Sequence, residues 1–211
     1  MKKTLLLAAM IVASSASHSQ GYVGAMISLS RMSDACAQSL RCEGSTNAGF
    51  KIFAGSSLPA EQVLTLGSAK LGRVEVGALR FGKTTSSGQV ATQVYDPVTD
   101  DFPTVLVPGR ERVQADAILV AAVVDVAVLP NLNLATKLGV AYVSATAVSE
   151  RNGARVDSQT KSSVQPYIGF GIEYALPYDV QLQGGVDWTR YRVDGRSGSA
   201  MQVGLGAAVS F

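Results

Sequence analysis

Hydrophobic residues alternate with small or polar residues along most of this chain. The pattern is clearest in the last eleven residues, MQVGLGAAVSF, where the intervening positions hold Gln, Gly, Ala and Ser and the apolar positions are Met201, Val203, Leu205, Ala207, Val209 and Phe211. A period of two residues is typical of a β-strand with two different faces. The same pattern predicts eight strands, at residues 21–31, 48–57, 73–83, 114–129, 134–148, 164–175, 180–191 and 201–211.

The two faces of these segments differ in an unusual way. One face is aliphatic, whereas the other holds mainly Gly, Ala and polar residues, with isolated charges at Lys51, Glu75, Asp125, Lys137, Glu173 and Asp187. In a membrane barrel the aliphatic face contacts lipid and the polar face points inward. The pattern therefore predicts an all-β fold, an eight-stranded antiparallel up-and-down transmembrane β-barrel, in which small residues make room for a few large polar ones. A soluble lipocalin-type barrel, with bulky apolar residues inside, is the alternative.

The predicted connections alternate in length. Tight connections contain Pro130 and Pro177, and long polar ones cover residues 32–47, 84–112, 149–163 and 193–198. Short periplasmic turns and long extracellular loops are typical of outer-membrane barrels, so we expect both ends of the barrel chain on the periplasmic side. Residues 58–72 are the exception, because they are long where a short turn is expected; LPAEQVLTLGSAK could hold a short helix.

The N-terminus has the features of a secretory signal peptide. Lys2 and Lys3 precede an apolar run at residues 5–13, and small or polar residues follow, with cleavage expected after Ala16 or Ser19. The run is shorter than the ~20 residues that a membrane-spanning helix needs. We therefore predict a signal peptide at residues 1–19 and a barrel domain at residues 20–211. The two lysines account for the whole net charge of +2, and we see no basic patch suited to nucleic acid.

Two cysteines, Cys36 and Cys42, lie close together in the first long connection. An exported pair at this spacing predicts a disulfide, which would stabilise the fold by about 2 kcal/mol. A metal site would need further ligands, and the one histidine, His18, lies in or beside the leader. The sequence therefore predicts neither a metal nor a cofactor.

The inward charges form predicted pairs on neighbouring strands. Lys51 is expected beside Glu75, and Asp125 beside Lys137, while Glu173 and Asp187 fall on the next two segments. A charge inside a narrow barrel must be paired or hydrated. This favours a structural plug of salt bridges; a gated polar path for small solutes is the alternative.

Several stretches resemble the eight-stranded transmembrane domain of the outer membrane protein A-like family. They are GYVGAMISLS for the first strand, CAQSLRCEGSTNAGFKIFAGSSL for the cysteine-bearing first loop and second strand, and KLGVAYV and VQPYIGFGIEYAL for the fifth and sixth strands. Phe211 resembles the terminal signal that such barrels present to the barrel-assembly machinery. The resemblance covers residues 21–211 and implies a place in the cell outer membrane of a Gram-negative envelope. Members often carry a peptidoglycan-binding domain after the barrel, and that activity is not expected of this chain.

Catalysis is not expected. Enzymes on small outer-membrane barrels use a histidine, and the processed chain would have none, so Ser86, Ser87 and Ser144 lack an evident base. The adjacent Asp100 and Asp101 are expected to be solvated on a loop. We therefore expect a structural outer-membrane barrel that displays extracellular loops, with an adhesin or host-interaction barrel and a narrow pore as alternatives.

The expected partners follow from this location. They are outer-membrane lipid and lipopolysaccharide, the barrel-assembly machinery during biogenesis, and, through the loops, a host or matrix ligand; nucleic acid is excluded and a monomer is expected. Basic loop tips at residues 151–155 and at Arg196 suit contact with lipopolysaccharide phosphates or with host ligands.

Overall fold

The computed structural model describes residues 21–33, 35, 41–43, 46–59, 62–93, 103–193 and 195–211. Most of these residues lie in antiparallel strands: β1 (Gly21–Met32), β2 (Arg41–Glu43), β3 (Asn47–Ser57), β4 (Leu64–Leu66), β5 (Ala69–Gln93), β6 (Thr104–Leu129), β7 (Leu132–Arg151), β8 (Ala154–Ala175), β9 (Val180–Val193) and β10 (Arg196–Ser210). The predicted signal peptide, Cys36, Asp100 and Asp101 fall outside the described residues. Of Cys42 only the backbone is described, in β2, so the disulfide stays a prediction.

Eight long strands close into a ring. Their order is β1-β3-β5-β6-β7-β8-β9-β10, and β10 pairs with β1. Following the paired residues once around the ring from Tyr22 leads back to β1 at Met32, ten residues farther along. This stagger, together with eight strands, sets the tilt of the strands and gives an interior that side chains fill. The predicted barrel fold is therefore confirmed.

The outer surface of the ring is apolar. Large aliphatic side chains are exposed on every barrel strand; Ile27 is 78% exposed and Leu205 72%. Their neighbours along each strand are buried, as the burial patterns of β1 and β10 show. A soluble protein buries such a surface, whereas a membrane barrel presents it to lipid. Within the described residues, no helix has the length and apolar character needed to cross a membrane.

The inner face carries more apolar bulk than the sequence pattern predicts. We expected an interior of small residues and a few large polar ones. The structure adds a buried apolar cluster that includes Leu79, Phe81, Leu119, Val143 and Val193. These residues alternate in step with the charged positions, so they also point inward. Because a narrow barrel is closely packed, large apolar side chains fill the parts of the lumen that hold no charged side chains.

Two of the predicted long loops are largely strand. β5 and β6 continue through most of residues 84–112, and residues 149–163 form the end of the β7–β8 hairpin. That hairpin turns at Asn152 and Gly153, whose φ angles of 50° and 77° fit a two-residue type I′ turn. The sequence of the β7–β8 extension lacks a period of two because water reaches both of its faces; residues 154–162 are all exposed. Ladder hydrogen bonds and Thr, Val and Ser residues sustain it instead.

Residues 58–72 also differ from the prediction. The described part holds the short strand β4, which pairs with the start of β5 through a turn at Gly67 and Ser68. Gly67 has a φ of 62°, which favours glycine. Before β4, the Gln62 N–H donates to the Pro59 carbonyl at 2.8 Å, which closes a single 3₁₀ turn. The described part of the segment therefore holds one tight helical turn followed by a β-hairpin, and a longer helix there stays a prediction.

The end of the barrel that carries Gly21 and Phe211 is held by backbone hydrogen bonds. Gly21 and Phe211 exchange a reciprocal pair at 3.0 and 2.9 Å, Ala175 N–H donates to Asn131 at 2.9 Å, and Ser210 N–H donates to Asp179 at 2.9 Å. We name this the short-turn end and the opposite one the long-hairpin end.

We expect the short-turn end to face the periplasm. Epitope tags inserted at Asn152, in the β7–β8 turn, should be labelled by antibody on intact cells, because that turn lies at the long-hairpin end. Tags inserted at Asn131, in the β6–β7 turn, should be labelled only after the outer membrane is permeabilised. Labelling of the Asn131 tag on intact cells would contradict this orientation.

Candidate functional site in the barrel interior

A network of buried charges crosses the middle of the barrel. Lys51 Nζ on β3 lies 3.0 Å from Glu75 Oε1 on β5 and 3.0 Å from Asp187 Oδ1 on β9. Lys137 Nζ on β7 lies 2.6 Å from Glu75 Oε2. All four side chains are at most 7% exposed. Two cations and two carboxylates thus neutralise one another across the lumen, and we name these four residues the central network.

Polar and aromatic neighbours complete the central network. Lys51 donates to the Tyr167 hydroxyl at 3.0 Å, and that hydroxyl donates to Asp187. Gln202 Nε2 donates to the other Asp187 oxygen at 3.1 Å. The ammonium groups of Lys51 and Lys137 also lie 5.5 and 5.2 Å from the centre of the Phe53 ring. These contacts replace the water that the buried charges have lost.

A second cluster lies nearer the short-turn end. Arg73 on β5 donates to both carboxylate oxygens of Asp125 on β6 through Nε and Nη2, with Nε at 2.7 Å from Oδ2. Its NH2 group also donates to Glu173 on β8 at 2.8 Å, and the guanidinium lies 5.2 Å from the Tyr22 ring centre. The Asp125 side chain is 21% exposed, because this cluster lines a cavity of about 300 Å³, shared with Lys70.

The pairing of Asp125 with Lys137 was wrong. The register sets Asp125 opposite Ala135 and Lys137 opposite Val123, so the two charges are two residues out of step. Lys137 instead reaches across the lumen to Glu75, and Asp125 binds Arg73. Sequence reasoning missed Arg73, although it lies two residues before Glu75 and so shares its inward parity.

Little space remains in the central lumen. A cavity of about 10 Å³ lies among Lys51, Lys137 and Gln183, which is the scale of a single water probe. The apolar cluster around Phe81 and Leu119 fills the levels beyond it, toward the long-hairpin end. In this conformation the interior holds charges in fixed pairs and leaves no wide aqueous path along these described residues.

Other predicted residues fall outside this site. The Ser86 hydroxyl donates to the Glu111 carbonyl at 3.4 Å, and Ser144 accepts from Ser162 at 3.2 Å on an exposed part of β7. Ser87 lies opposite Arg110 in the β5 extension. Within the described ranges, no group of three or more His, Cys, Asp or Glu side chains is placed to hold a metal ion.

Arg196 differs from its predicted place at a basic loop tip. Its guanidinium binds Glu111 and its side chain is only 28% exposed, so it ties β10 to β6 near the long-hairpin end. Residues 151–155 do form an exposed turn, as predicted for a surface tip.

Phe211 lies at the closing seam of the barrel. Its ring packs over Gly21, where an added Cβ would come within 2.7 Å of the ring. The side chain is otherwise 74% exposed, at the same end of the barrel as the exposed Tyr174. This position suits an aromatic residue at a membrane interface; its role as an assembly signal stays a prediction.

Comparison with known proteins gives one family. The family described as the OmpA-like transmembrane domain matches residues 16–198. No curated protein sequence shows significant similarity to this chain.

Solved structures of several outer-membrane proteins are similar in arrangement, including these three. Ail, the attachment invasion locus protein of Yersinia pestis, in complex with the heparin analogue sucrose octasulfate, is 12% identical, with a TM-score of 0.49 over 92% of this chain and 99% of that one. Neisserial surface protein A is 13% identical, with a TM-score of 0.48 over 90% and 97%. A major outer membrane protein from Thermus thermophilus is 14% identical, with a TM-score of 0.49 over 92% and 100%.

Proposed function

Because the chain belongs to the OmpA-like transmembrane-domain family of outer-membrane β-barrels, we propose that it is a structural barrel closed to solutes, which displays a stiff β-sheet at the cell surface. Membership of this family supports a location in the cell outer membrane. Catalysis has no part in this proposal.

The central network is the observation that carries the proposal. Lys51, Glu75, Lys137 and Asp187 come from four different strands and meet across the lumen at 2.6 to 3.0 Å. Moving Lys51 aside would leave Asp187 without its ion-pair partner, and moving Glu75 aside would leave Lys137 without its partner, at a cost of about 3–5 kcal/mol. An ion crossing the lumen would have to separate these pairs, so the barrel in this conformation is closed to ions.

Conductance tests this closure. Purified barrel inserted into planar bilayers should give no channel steps in KCl solution, while a general porin in the same set-up should conduct. The protein should be shown to be folded by its heat-modifiable gel mobility before and after the recording. Regular steps from the folded protein would contradict closure and favour the narrow pore.

A second role, binding of a ligand at the cell surface, is favoured by the shape of the long-hairpin end. Strand β8 begins at Ala154, but its pairing with β9 begins at Tyr167. Within the described residues, β8 residues 154–165 therefore pair with β7 alone and leave one edge open, while the Pro166 carbonyl already accepts from the Thr189 hydroxyl on β9. At about 3.3 Å per residue this edge is roughly 40 Å long. An open edge can accept a strand from a partner, and charges such as Arg155 and Lys161 limit non-specific pairing.

Shortening the β7–β8 hairpin tests this second role. Replacing residues 148–158 with a two-residue Asn-Gly turn, which joins the paired Ala147 and Gln159, should leave folding and outer-membrane level unchanged, because the replaced residues lie beyond the buried apolar cluster. If the edge binds a host or matrix ligand, adhesion of expressing cells to that ligand should be lost. Adhesion that survives the shortening would remove this role and leave the structural one.

A further inference from the structure

A wide apolar groove runs across one side of the outer surface. Ile27 and Leu29 on β1 form one wall, and Phe170 and Ile172 on β8 form the other. Gly184 on β9 lies at the floor, and the volume is about 1010 Å³, at the upper end of the range for small-molecule sites. We name this feature the lateral groove.

Glycine makes the groove deep. On the outward face of β9, Gly184 interrupts the series of Leu182, Val186 and Trp188, and it pairs with Leu205 on β10 and with Ile172 on β8. A bilayer offers no hydrophobic drive to close such a groove, so packing against it depends on close van der Waals contact. A flexible acyl chain is the component of the membrane that can fill it.

Three exposed arginines lie beside the groove, toward the long-hairpin end. Arg31 on β1, Arg190 on β9 and Arg192 on β9 all point outward, as the alternating burial of these strands shows. None of the three forms an ion pair with any residue that the structure describes. The strands that carry them are about 10 Å apart across β10, given the spacing of neighbouring strands.

The opposite side of the barrel differs in this respect. There, Arg80 pairs with Asp116 at 2.8 Å and Arg112 pairs with Glu150 at 3.2 Å, although all four side chains are partly exposed. Arg80 and Arg112 are thus neutralised by protein carboxylates, whereas Arg31, Arg190 and Arg192 beside the groove form no ion pair with a described residue. Arginine binds phosphate oxygens through paired N–H groups.

We propose that the lateral groove and the three open arginines form one site for a molecule of lipopolysaccharide. An acyl chain lies over Gly184, and a phosphate of the lipid A head group lies between Arg31 and Arg190. The choice of lipopolysaccharide over phospholipid rests on the predicted orientation, which puts these arginines in the outer leaflet, and on the fit of several cations to a head group with more than one phosphate. The site does not depend on whether the lumen conducts.

Trp188 is the one tryptophan of the chain and reports on this site. It lies on β9 between Val186, which lines the groove, and Arg190. The protein is reconstituted as single barrels in phosphatidylcholine nanodiscs, and lipid A with two phosphates is titrated in. Trp188 emission should change with saturation at about one lipid A per barrel, since one groove offers one site.

Matched variants separate the two halves of the site. The pair Arg31→Gln/Arg190→Gln should weaken lipid A binding by at least about tenfold, because charge-assisted hydrogen bonds are lost. Arg80→Gln, on the opposite side, should leave it unchanged. Gly184→Ile should weaken binding by filling the groove; an added Cβ there meets the flexible end of Leu205 at 3.1 Å and the Gly204 carbonyl oxygen at an ordinary contact distance of 4.0 Å. Ala122→Ile, which adds the same side chain to the outer face of β6, is its control.

Three results would overturn the proposal. A saturable response of equal strength to phosphatidylglycerol, or to lipid A without phosphates, would remove the claim that the site recognises this lipid. Equal loss in Arg80→Gln and in the Arg31/Arg190 pair would remove the assignment of the arginines. Dimers that form in phosphatidylcholine alone and bury Trp188 would assign the groove to a second copy of the chain. The tag experiment at Asn152 and Asn131 tests the orientation separately.

Discussion

Replacement of Lys51 by methionine is expected to lower the free energy of unfolding by about 3–5 kcal/mol. Lys51 is 1% exposed and contacts both Glu75 and Asp187 at 3.0 Å. Without it, Glu75 keeps Lys137, but Asp187 keeps only the hydrogen bonds of Tyr167 and Gln202 among the described residues. A carboxylate in the barrel interior would then lack a cation, which is the costly case for a buried ion pair.

The measurement is urea unfolding in lipid vesicles, followed by heat-modifiable gel mobility. Lys161→Met is the matched control, because Lys161 is exposed on the β8 extension, and it should change stability little. Lys51→Met/Asp187→Asn should recover part of the loss, since it removes the unpaired charge. Equal stability of Lys51→Met and Lys161→Met would show that the central network does not stabilise the barrel.

Leu205→Arg is expected to cut the amount of folded protein in the outer membrane severely. Leu205 is 72% exposed on the apolar outer face, between Ile27 on β1 and Gly184 on β9. An arginine facing lipid near the bilayer midplane costs about 2–4 kcal/mol. The closing strand would insert poorly, and the unassembled chain would be degraded in the periplasm.

Two controls make this result specific to lipid. Leu205→Met keeps an apolar side chain at the same position and should leave outer-membrane levels unchanged. Leu106→Arg makes the same chemical change at a residue that is also exposed, at 65%, but lies on the β6 extension. Leu106→Arg should be tolerated, because water surrounds it. Equal loss from both arginine variants would contradict a lipid-facing outer surface.

The positions of the strands could be predicted well wherever one face of the strand meets lipid. Segments 114–129 and 164–175 lie within β6 and β8, and the eight segments predicted as strands became the eight strands of the ring. The reason is that lipid on one face and a packed lumen on the other impose a strict period of two. Where water meets both faces, as in residues 149–163, that period disappears and strand was mistaken for loop.

Residue order alone was enough to establish the barrel class, the inward parity of the six predicted charges, and the family to which the chain belongs. Which of those charges meet became clear from the closed ring. The alternation along each strand shows only that Lys137, Glu75, Arg73 and Asp125 point inward. The strand register and the distance across the lumen decide that Lys137 binds Glu75 and that Arg73 binds Asp125. Alternation is a property of one strand, whereas a pair across the lumen depends on the stagger summed over all eight strands, and that sum is a property of the closed barrel.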